Sequence, residues 1–272
     1  MTTPQTHSVD LKFSPSDIDR ILTSTFIQHI EYCDELASTN TRAKQLAAES
    51  PEDDSRMLVL TDRQTAGRGR GANRWWSASG SLTFSILFRP DAILLPASRW
   101  PQLSLTVGLA VCDAIESLIS HLSPRIKWPN DVFLCGRKVC GILVEAAHGQ
   151  RGSLIVGVGV NVNNSAAQAP HDLRETIVAL ADMAAGQIRR VDVLVAILQQ
   201  LEARLQWLGS DLGTLRDEWC RRCLLTGRTV EVEIQSRRIV GVCRGIDHDG
   251  ALILDTPARL ERCLSGVVIR FA

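Results

Sequence analysis

The sequence predicts a mixed α/β protein that ends in a small antiparallel β-barrel. Helix-like and strand-like segments alternate between Ser16 and Leu208, which is the pattern of a sheet covered by helices. After Trp219 the pattern changes to four or five short strands joined by tight turns, such as Asp249-Gly250. We therefore expect a flexible segment at 1–15, a larger domain at 16–224 and the barrel at 225–272.

Composition excludes several classes of protein. The chain has 272 residues, of which 45% are hydrophobic and 22% are charged, so disordered and fibrous proteins are excluded. Lys plus Arg and Asp plus Glu both number 30, which argues against coating of nucleic acid or adhesion to acidic membranes. No apolar run reaches the length of a membrane span, and the first eleven residues lack the features of a secretory signal. We expect a soluble cytoplasmic protein.

The first third of the chain contains two helices and three strands. Each predicted helix is preceded by residues that cap helix N-termini, and each strand is apolar or alternates between apolar and polar positions. The predicted helices are 16–25, with Ser14 or Ser16 as cap, and 41–49, capped from Ser38-Thr39-Asn40; the strands are 26–32, 57–61 and 81–88.

The middle of the chain contains a buried helix and a hairpin. Two apolar stripes at helical spacing between Leu103 and Ile119 predict a helix that is buried on more than one side. Gly136-Arg137 separates two apolar runs and predicts a hairpin turn. The remaining elements are strands at 125–128, 132–134, 139–144 and 154–162 and an amphipathic helix at 191–208.

The eight cysteines do not predict a metal site. Cys220 and Cys223 have the spacing of half a zinc site, but no second pair completes it, and the six histidines are scattered. Disulfides are disfavoured in a cytosolic chain of this size. We expect no tightly bound protein metal.

The segment Gly67-Arg68-Gly69-Arg70-Gly71 favours anion binding. Glycines let backbone N–H groups turn toward a ligand, and guanidinium groups suit phosphate or carboxylate. The alternatives are an exposed basic turn and an RGG-like nucleic-acid segment; the position between two apolar strands argues against a disordered tail.

Three further segments display polar groups beside strands. Lys127-Trp128-Pro129-Asn130-Asp131 presents a Lys, an Asn and an Asp, although Pro-Asn-Asp is also ordinary turn chemistry. Lys138 begins an apolar strand and is either an edge-strand guard or a cation directed into a pocket, while Gly141 suggests close packing against the backbone. The run 157–164 (GVGVNVNN) lacks the third glycine of a dinucleotide loop, and no helix follows it directly. Its glycines instead favour space for a flat or elongated ligand, with Asn161 offering an amide.

These segments, in this order, resemble the biotin–protein ligase family. The resemblance runs from about Ser38 to the C-terminus and includes STN at 38–40, Gln64, GRGR, KWPND, the K-x-x-GILVE strand, GVGVN and the terminal barrel. It implies a mixed-sheet catalytic domain followed by an SH3-like barrel. It also implies an ATP-dependent ligase that forms biotinyl-5′-AMP and then transfers biotin to a lysine of a biotin carboxyl carrier domain.

The resemblance implies roles for fourteen residues. The catalytic residues are Lys138, Arg70 and Asp131; biotin is bound by Ser38, Thr39, Asn40, Gln64, Gly67, Arg68 and Gly141; the nucleotide is bound by Arg70, Trp75, Lys127, Asn130 and Asn161. Magnesium is expected with ATP, held mainly by phosphates.

The chain departs from the family after GRGR. The stretch Gly71-Ala72-Asn73-Arg74-Trp75 has Asn73 where the family usually has an arginine, so no role is transferred to Asn73. Because only about 37 residues precede Ser38, we expect no DNA-binding domain and no repressor function. The alternatives are a lipoate or octanoate ligase and a non-catalytic biotin sensor. The oligomeric state is open, with a symmetric homodimer through a sheet edge as the expected form.

Overall fold

The chain forms two sheets, each with its own pattern of strand pairing. The computed structural model describes residues 12–49, 56–88, 100–147, 153–184 and 186–272, so the predicted flexible lead-in falls largely outside the described residues. The helices are α1 (Pro15–Ser24), α2 (Thr39–Glu49), α3 (Trp100–Leu118), α4 (Arg190–Ser210) and α5 (Leu212–Arg222). The strands are β1 (His29–Leu36), β2 (Met57–Gln64), β3 (Leu82–Phe88), β4 (Arg125–Lys127), β5 (Asp131–Leu134), β6 (Arg137–Ala147), β7 (Ser153–Val160), β8 (Thr229–Ile234), β9 (Arg237–Ile246), β10 (Leu252–Asp255), β11 (Leu260–Cys263) and β12 (Val267–Phe271).

The larger sheet is mixed, as predicted. Its seven strands lie in the order β1-β2-β3-β7-β6-β5-β4, in which β1 and β2 are parallel and the other neighbours are antiparallel. Every residue of β3 and β7 is buried, because these strands are central and covered on both faces. Helix α3 is the buried helix that the two apolar stripes predict, and it packs mainly against α4 and β6.

The smaller sheet is antiparallel, with the order β11-β10-β9-β8-β12. It contacts the larger sheet's side of the chain at two points: Arg70 donates to the Gly266 carbonyl just before β12, and the Trp128 indole N–H donates to the Gly250 carbonyl at 3.0 Å. The predicted fold class is confirmed. The division at residue 225 stays a prediction, although the second sheet begins only at Thr229.

Several predicted boundaries differ from the observed ones, and two of them lie beside the cavity or the core. The predicted strand 26–32 is observed at His29–Leu36, and Phe26 precedes it with its ring against Phe88, the centroids 6.1 Å apart. The predicted helix 41–49 begins at Thr39, so Ser38 precedes the helix and Thr39 and Asn40 belong to its first turn.

A buried ion pair fixes the start of α4 against the larger sheet. The Arg190 side chain is 3% exposed and lies 2.7 Å from Asp62, at the end of β2. The Arg190 guanidinium also donates to the Ser81 carbonyl and lies over the Phe13 ring. Such a pair requires both partners, because a single buried charge is costly.

Candidate active site

A cavity of 730 Å³ lies where β12 meets the larger sheet. Residues that are far apart in the sequence line it, from the first turn of α2 to Gly266, Val267 and Val268. Its lining includes all but one of the predicted site residues: Ser38, Thr39, Asn40, Gln64, Gly67, Arg68, Arg70, Trp75, Lys127, Asn130, Asp131, Lys138 and Gly141.

One end of the cavity is a network of buried amides and hydroxyls. Gln64 Oε1 accepts hydrogen bonds from the Thr39 backbone N–H at 2.7 Å and from Thr39 Oγ1 at 3.1 Å. Ser85 Oγ lies 2.7 Å from Thr39 Oγ1 and 2.6 Å from Asn40 Oδ1. All four residues are buried, so their orientation is set before a ligand arrives.

Glycines make the floor of the cavity flat. Gly141 on β6 lies opposite Gly159 on β7, and the Trp75 ring lies on both. A Cβ at position 159 would lie 2.3 Å from Trp75 Cε2, and a Cβ at position 157 would lie 2.1 Å from Asn40 Oδ1. No side chain fits at Gly157 or Gly159 without displacing a cavity residue.

The glycine-rich loop folds back on itself. Gly69 N–H donates to the Asn73 carbonyl at 2.8 Å, and Trp75 N–H donates to the Gly67 carbonyl at 3.0 Å. Gly71 has a φ of 61°, which favours glycine at this turn. The two arginines of the loop end in different places: Arg68 contacts Glu145 at 2.7 Å, whereas Arg70 Nη1 donates to the Gly266 carbonyl at 3.1 Å.

Two partly buried cations face the cavity without a carboxylate partner among the described residues. Among the residues that the structure describes, Arg70 donates only to the Gly266 carbonyl, and Lys127 Nζ lies over the Phe133 and Phe271 rings at 5.3 and 5.4 Å. Burial lowers the pKa of both groups, while the nearby charge of Asp131 opposes this effect. Since an unpaired buried cation is costly, this arrangement is suited to an anionic ligand.

Lys138 and Asp131 form an ion pair at the cavity wall. Lys138 Nζ lies 2.7 Å from Asp131 Oδ1, and it also lies 5.8 Å from the centre of the Trp75 ring. Strand β6 lies between β7 and β5, so Lys138 does not protect a sheet edge. Asn130 lines the cavity too, but its Nδ2 donates to the Ile142 carbonyl at 2.7 Å, which fixes the β4–β5 turn against β6.

Asn161 does not line the cavity. Its side chain is buried, its Oδ1 accepts from Asn164 Nδ2 at 2.9 Å, and its Nδ2 donates to the Lys138 carbonyl at 3.4 Å. The structure therefore gives Asn161 a position that supports the backbone of Lys138, and a direct contact with a nucleotide stays a prediction without geometric support.

Two polar residues beside the cavity, Ser85 and Glu145, have no role predicted from the sequence. Ser85 lies in a strand that is entirely buried, and a hydroxyl there was the available signal. Glu145 follows Gly141 and Leu143 at alternate positions of β6, so its carboxylate lies on the same face as these two cavity residues. A charged residue on that face was the signal.

Outside the cavity, the described residues contain one cluster of two aspartates and a histidine whose possible metal-ligand atoms lie within 4.8 Å of one another. Asp247, His248 and Asp249 lie in a turn, where Arg262 contacts both carboxylates at 2.6 Å and Asp247 Oδ1 accepts backbone N–H groups. The carboxylates are therefore already used by the turn. Cys220 Sγ contacts the Ile246 backbone, so it also has a structural environment.

The cavity as a whole suits an elongated ligand with a polar head and an anionic tail. Amides and hydroxyls lie at one end, glycines and an indole form the middle, and cations lie at the other end beside an acid. Such an arrangement can hold two substrates in line and neutralise the negative charge between them.

Two family models match the chain. The Biotin/lipoate A/B protein ligase family matches residues 32–163, and the Biotin protein ligase C terminal domain matches residues 226–270. The chain is 34% identical over 236 residues to the biotin--[acetyl-CoA-carboxylase] ligase of Mycobacterium tuberculosis, covering 85% of each chain. It is 32% identical over 259 residues to the bifunctional ligase/repressor BirA of Bacillus subtilis, covering 93% of this chain and 78% of that protein.

Solved structures show the same fold. A biotin protein ligase from Aquifex aeolicus in complex with biotin and ATP superposes with a TM-score of 0.77 at 27% identity, covering 90% of this chain and 98% of that chain. A biotin protein ligase from Leishmania major in complex with biotinyl-5-AMP has a TM-score of 0.60 at 20% identity, covering 86% and 98% of the two chains.

Proposed function

Because the chain belongs to the Biotin/lipoate A/B protein ligase family, we propose that its 730 Å³ cavity is the site of biotin activation and transfer. The chain is a biotin protein ligase, and biotin and ATP are its substrates. The carboxylate of biotin attacks the α-phosphorus of ATP and pyrophosphate leaves. A lysine amine of a biotin carboxyl carrier domain then attacks the acyl carbon, and AMP leaves.

The polar end of the cavity would bind the ureido ring of biotin. Ser38, Thr39 and Gln64 offer hydroxyl and amide groups. The Thr39 hydroxyl is held by Gln64 and by Ser85, which also contacts Asn40. Burial makes each of these hydrogen bonds selective, because a ligand without the matching groups leaves them unpaired. Gly67 and Gly141 leave room for the ring beside Trp75.

The two unpaired cations are the observation that supports the proposal most directly. The carboxylate of biotin and the phosphates of ATP repel each other, so the site must neutralise charge around the α-phosphate. Arg70 and Lys127 lie at the cavity with no carboxylate partner among the described residues, so their charge is available for that purpose. Arg70 would contact the acyl-phosphate region, and Lys127 would contact the nucleotide phosphates.

Lys138 and Asp131 would serve both steps. Lys138 would stabilise the negative charge that develops on the phosphate and later on the acyl oxygen. Asp131, 2.7 Å from Lys138, would orient the incoming lysine and accept its proton, since a lysine is protonated at neutral pH. Trp75 would stack near the adenine.

Magnesium would enter with ATP as part of the substrate. Within the described ranges, the carboxylates that line the cavity are Asp131, which is paired with Lys138, and Asp172. These two carboxylates are too few to coordinate a magnesium ion by themselves, and they fit an ion that is held mainly by phosphate oxygens and water.

The remaining predictions concern assembly and domain roles. Residues 225–272 would act as a separate barrel domain that completes the cavity through Gly266, Val267 and Val268. A homodimer stays a prediction, which sedimentation of the purified chain would test. No described helix has the length and apolar character that crossing a bilayer requires.

A transfer assay tests the proposal. The purified chain is incubated with MgATP, labelled biotin and an isolated biotin carboxyl carrier domain. We expect label on the carrier lysine that depends on ATP and that is absent when labelled lipoate replaces biotin. Binding of biotin without formation of an adenylate would contradict ligase activity, and labelling by lipoate would contradict the choice of substrate.

A further inference from the structure

Glu145 connects helix α2 to the glycine-rich loop. Its Oε2 accepts hydrogen bonds from Asn40 Nδ2 at 2.8 Å and from Arg68 Nη2 at 2.7 Å, and its Oε1 lies 2.7 Å from Lys44 Nζ. The side chain is only 19% exposed. Burial alone raises the pKa of Glu145, but the hydrogen bonds from Lys44 and Asn40 and the charge of Arg68 outweigh it, so the pKa lies below its usual value.

Arg68 and Arg70, the two arginines of the loop, differ because only Arg68 contacts Glu145. Arg68 has a carboxylate partner within the protein, whereas Arg70 has none among the described residues. The charge of Arg68 is therefore already neutralised when a substrate arrives. Arg68 is suited to hold the loop in place, and Arg70 is suited to bind the substrate anion.

The contacts of Glu145 continue into the polar end of the cavity. Asn40 Nδ2 donates to Glu145, and Asn40 Oδ1 lies 2.6 Å from Ser85 Oγ, which in turn lies 2.7 Å from Thr39 Oγ1. Gly157 leaves the space that Asn40 needs for this orientation. A change at position 145 would therefore affect the loop through Arg68 and the hydroxyl of Thr39 through Asn40.

We propose that Glu145 is a positioning residue for biotin. It fixes Asn40 and Arg68 together and so sets the position of the loop relative to the amides and hydroxyls that receive the ureido ring. The inference rests on the proposed function of the cavity. Glu145 does not line the cavity and acts through its two neighbours.

Substitution Glu145→Gln tests the proposal, because it keeps the size of the side chain and removes its charge. We expect the KM for biotin to rise about tenfold, since a hydrogen bond to a charged group typically contributes about that factor or more. The KM for ATP and kcat should stay within about twofold of the original values, because a loss of binding alone leaves the chemical step unchanged. A merely structural defect would lower the active fraction and hence kcat, without a selective effect on biotin.

Glu31→Gln is the matched control. Glu31 lies in β1 and pairs at 2.6 Å with Arg42 of α2, the helix that also carries Asn40 and Lys44. Neither Glu31 nor Arg42 lines the cavity. The kinetic constants of Glu31→Gln should equal those of the original chain. Arg68→Met approaches the same contact from the loop, with Glu145 intact, and should raise the KM for biotin by a similar factor.

The double variant Glu145→Gln/Arg68→Met should be no worse than the worse single variant, because Arg68→Met removes a contact that Glu145→Gln already weakens. Multiplicative effects of the two substitutions would overturn the inference, as would an unchanged KM for biotin in Glu145→Gln. An equal rise in both KM values would also overturn it. Each of these results leaves an active original enzyme, whereas failure of the proposed function would appear as no transfer by the original chain.

Discussion

A methyl group at position 159 would occupy space that the Trp75 ring now fills. A Cβ built on Gly159 lies 2.3 Å from Trp75 Cε2, 2.6 Å from Cζ2 and 2.7 Å from Nε1. Carbon atoms in ordinary contact are about 3.5 Å apart, so the ring would have to move by more than about 1 Å. The backbone cannot yield instead, because Gly159 is paired with Thr83 on one side and with Gly141 on the other.

We therefore expect Gly159→Ala to fold and to lose activity. A displacement of about 1 Å at a reacting site can reduce the rate by about a hundredfold, and we expect kcat/KM for adenylate formation to fall by roughly that factor. The backbone contribution to the free energy of unfolding should change by no more than about 1 kcal/mol, because alanine is not strained in a strand. Any larger loss of stability would come from moving the Trp75 ring. Pyrophosphate release with biotin and MgATP measures the rate, and urea denaturation measures stability.

Gly108→Ala is the control for this experiment. A Cβ on Gly108 in helix α3 lies 3.6 Å from the nearest atoms of Ile126, an ordinary contact. This substitution should stabilise the chain by up to about 1 kcal/mol and leave the rate unchanged, because alanine favours helix over glycine. A Gly159→Ala variant with the original rate would refute the assignment of Trp75 to the substrate-binding cavity. Equal losses in the two variants would refute the steric argument.

Three other substitutions have defined outcomes. Arg70→Gln should increase the free biotinyl-5′-AMP found in solution by about tenfold or more, because a charge-assisted contact is lost; chromatography measures the adenylate, and unchanged retention would contradict the role of Arg70. Lys127→Met should raise the melting temperature and weaken ATP binding, because it removes a buried cation that lacks a carboxylate partner among the described residues. In the original chain, burial lowers the pKa of Lys127, so the side chain loses its proton more readily in the folded state as the pH rises. The affinity for ATP should then fall while the free energy of unfolding rises, because the buried charge is removed. A pH series of ATP titrations and thermal melts would show these opposite trends. Asp62→Asn should lower the free energy of unfolding by about 3 kcal/mol because Arg190 is left buried beside a neutral partner, and urea denaturation that showed no loss would argue against a structural role for the pair.

The fold was predictable where local patterns carry the signal. The two stripes of α3 and the alternation of the C-terminal strands each follow from the periodicity of one element. The start of β1 was not predictable in this way. Phe26 resembles a residue of the strand because it is apolar, but its ring packs on Phe88 and lies outside the strand. That contact joins two distant parts of the chain and leaves no local periodicity.

The candidate site was predictable as a set of residues and not as a set of pairings. Motifs indicated Arg68 and Arg70 equally, yet the structure pairs only Arg68 with Glu145. The same holds for Asn161, whose amide is used within the protein. Partners that come from different strands decide which charges remain available, and the spacing of residues along one segment does not contain that information.

The cavity is assembled from both sheets, so its wall is complete only after strands of the second sheet have been synthesised. Gly266, Val267 and Val268 line it together with Ser38, and Arg70 contacts the Gly266 carbonyl. A ribosome therefore synthesises almost every other lining residue long before the strand that completes the wall. Until residues 266–268 have been synthesised, the nascent chain lacks both this part of the wall and the carbonyl that Arg70 contacts, so the complete cavity forms only after these residues have joined the fold.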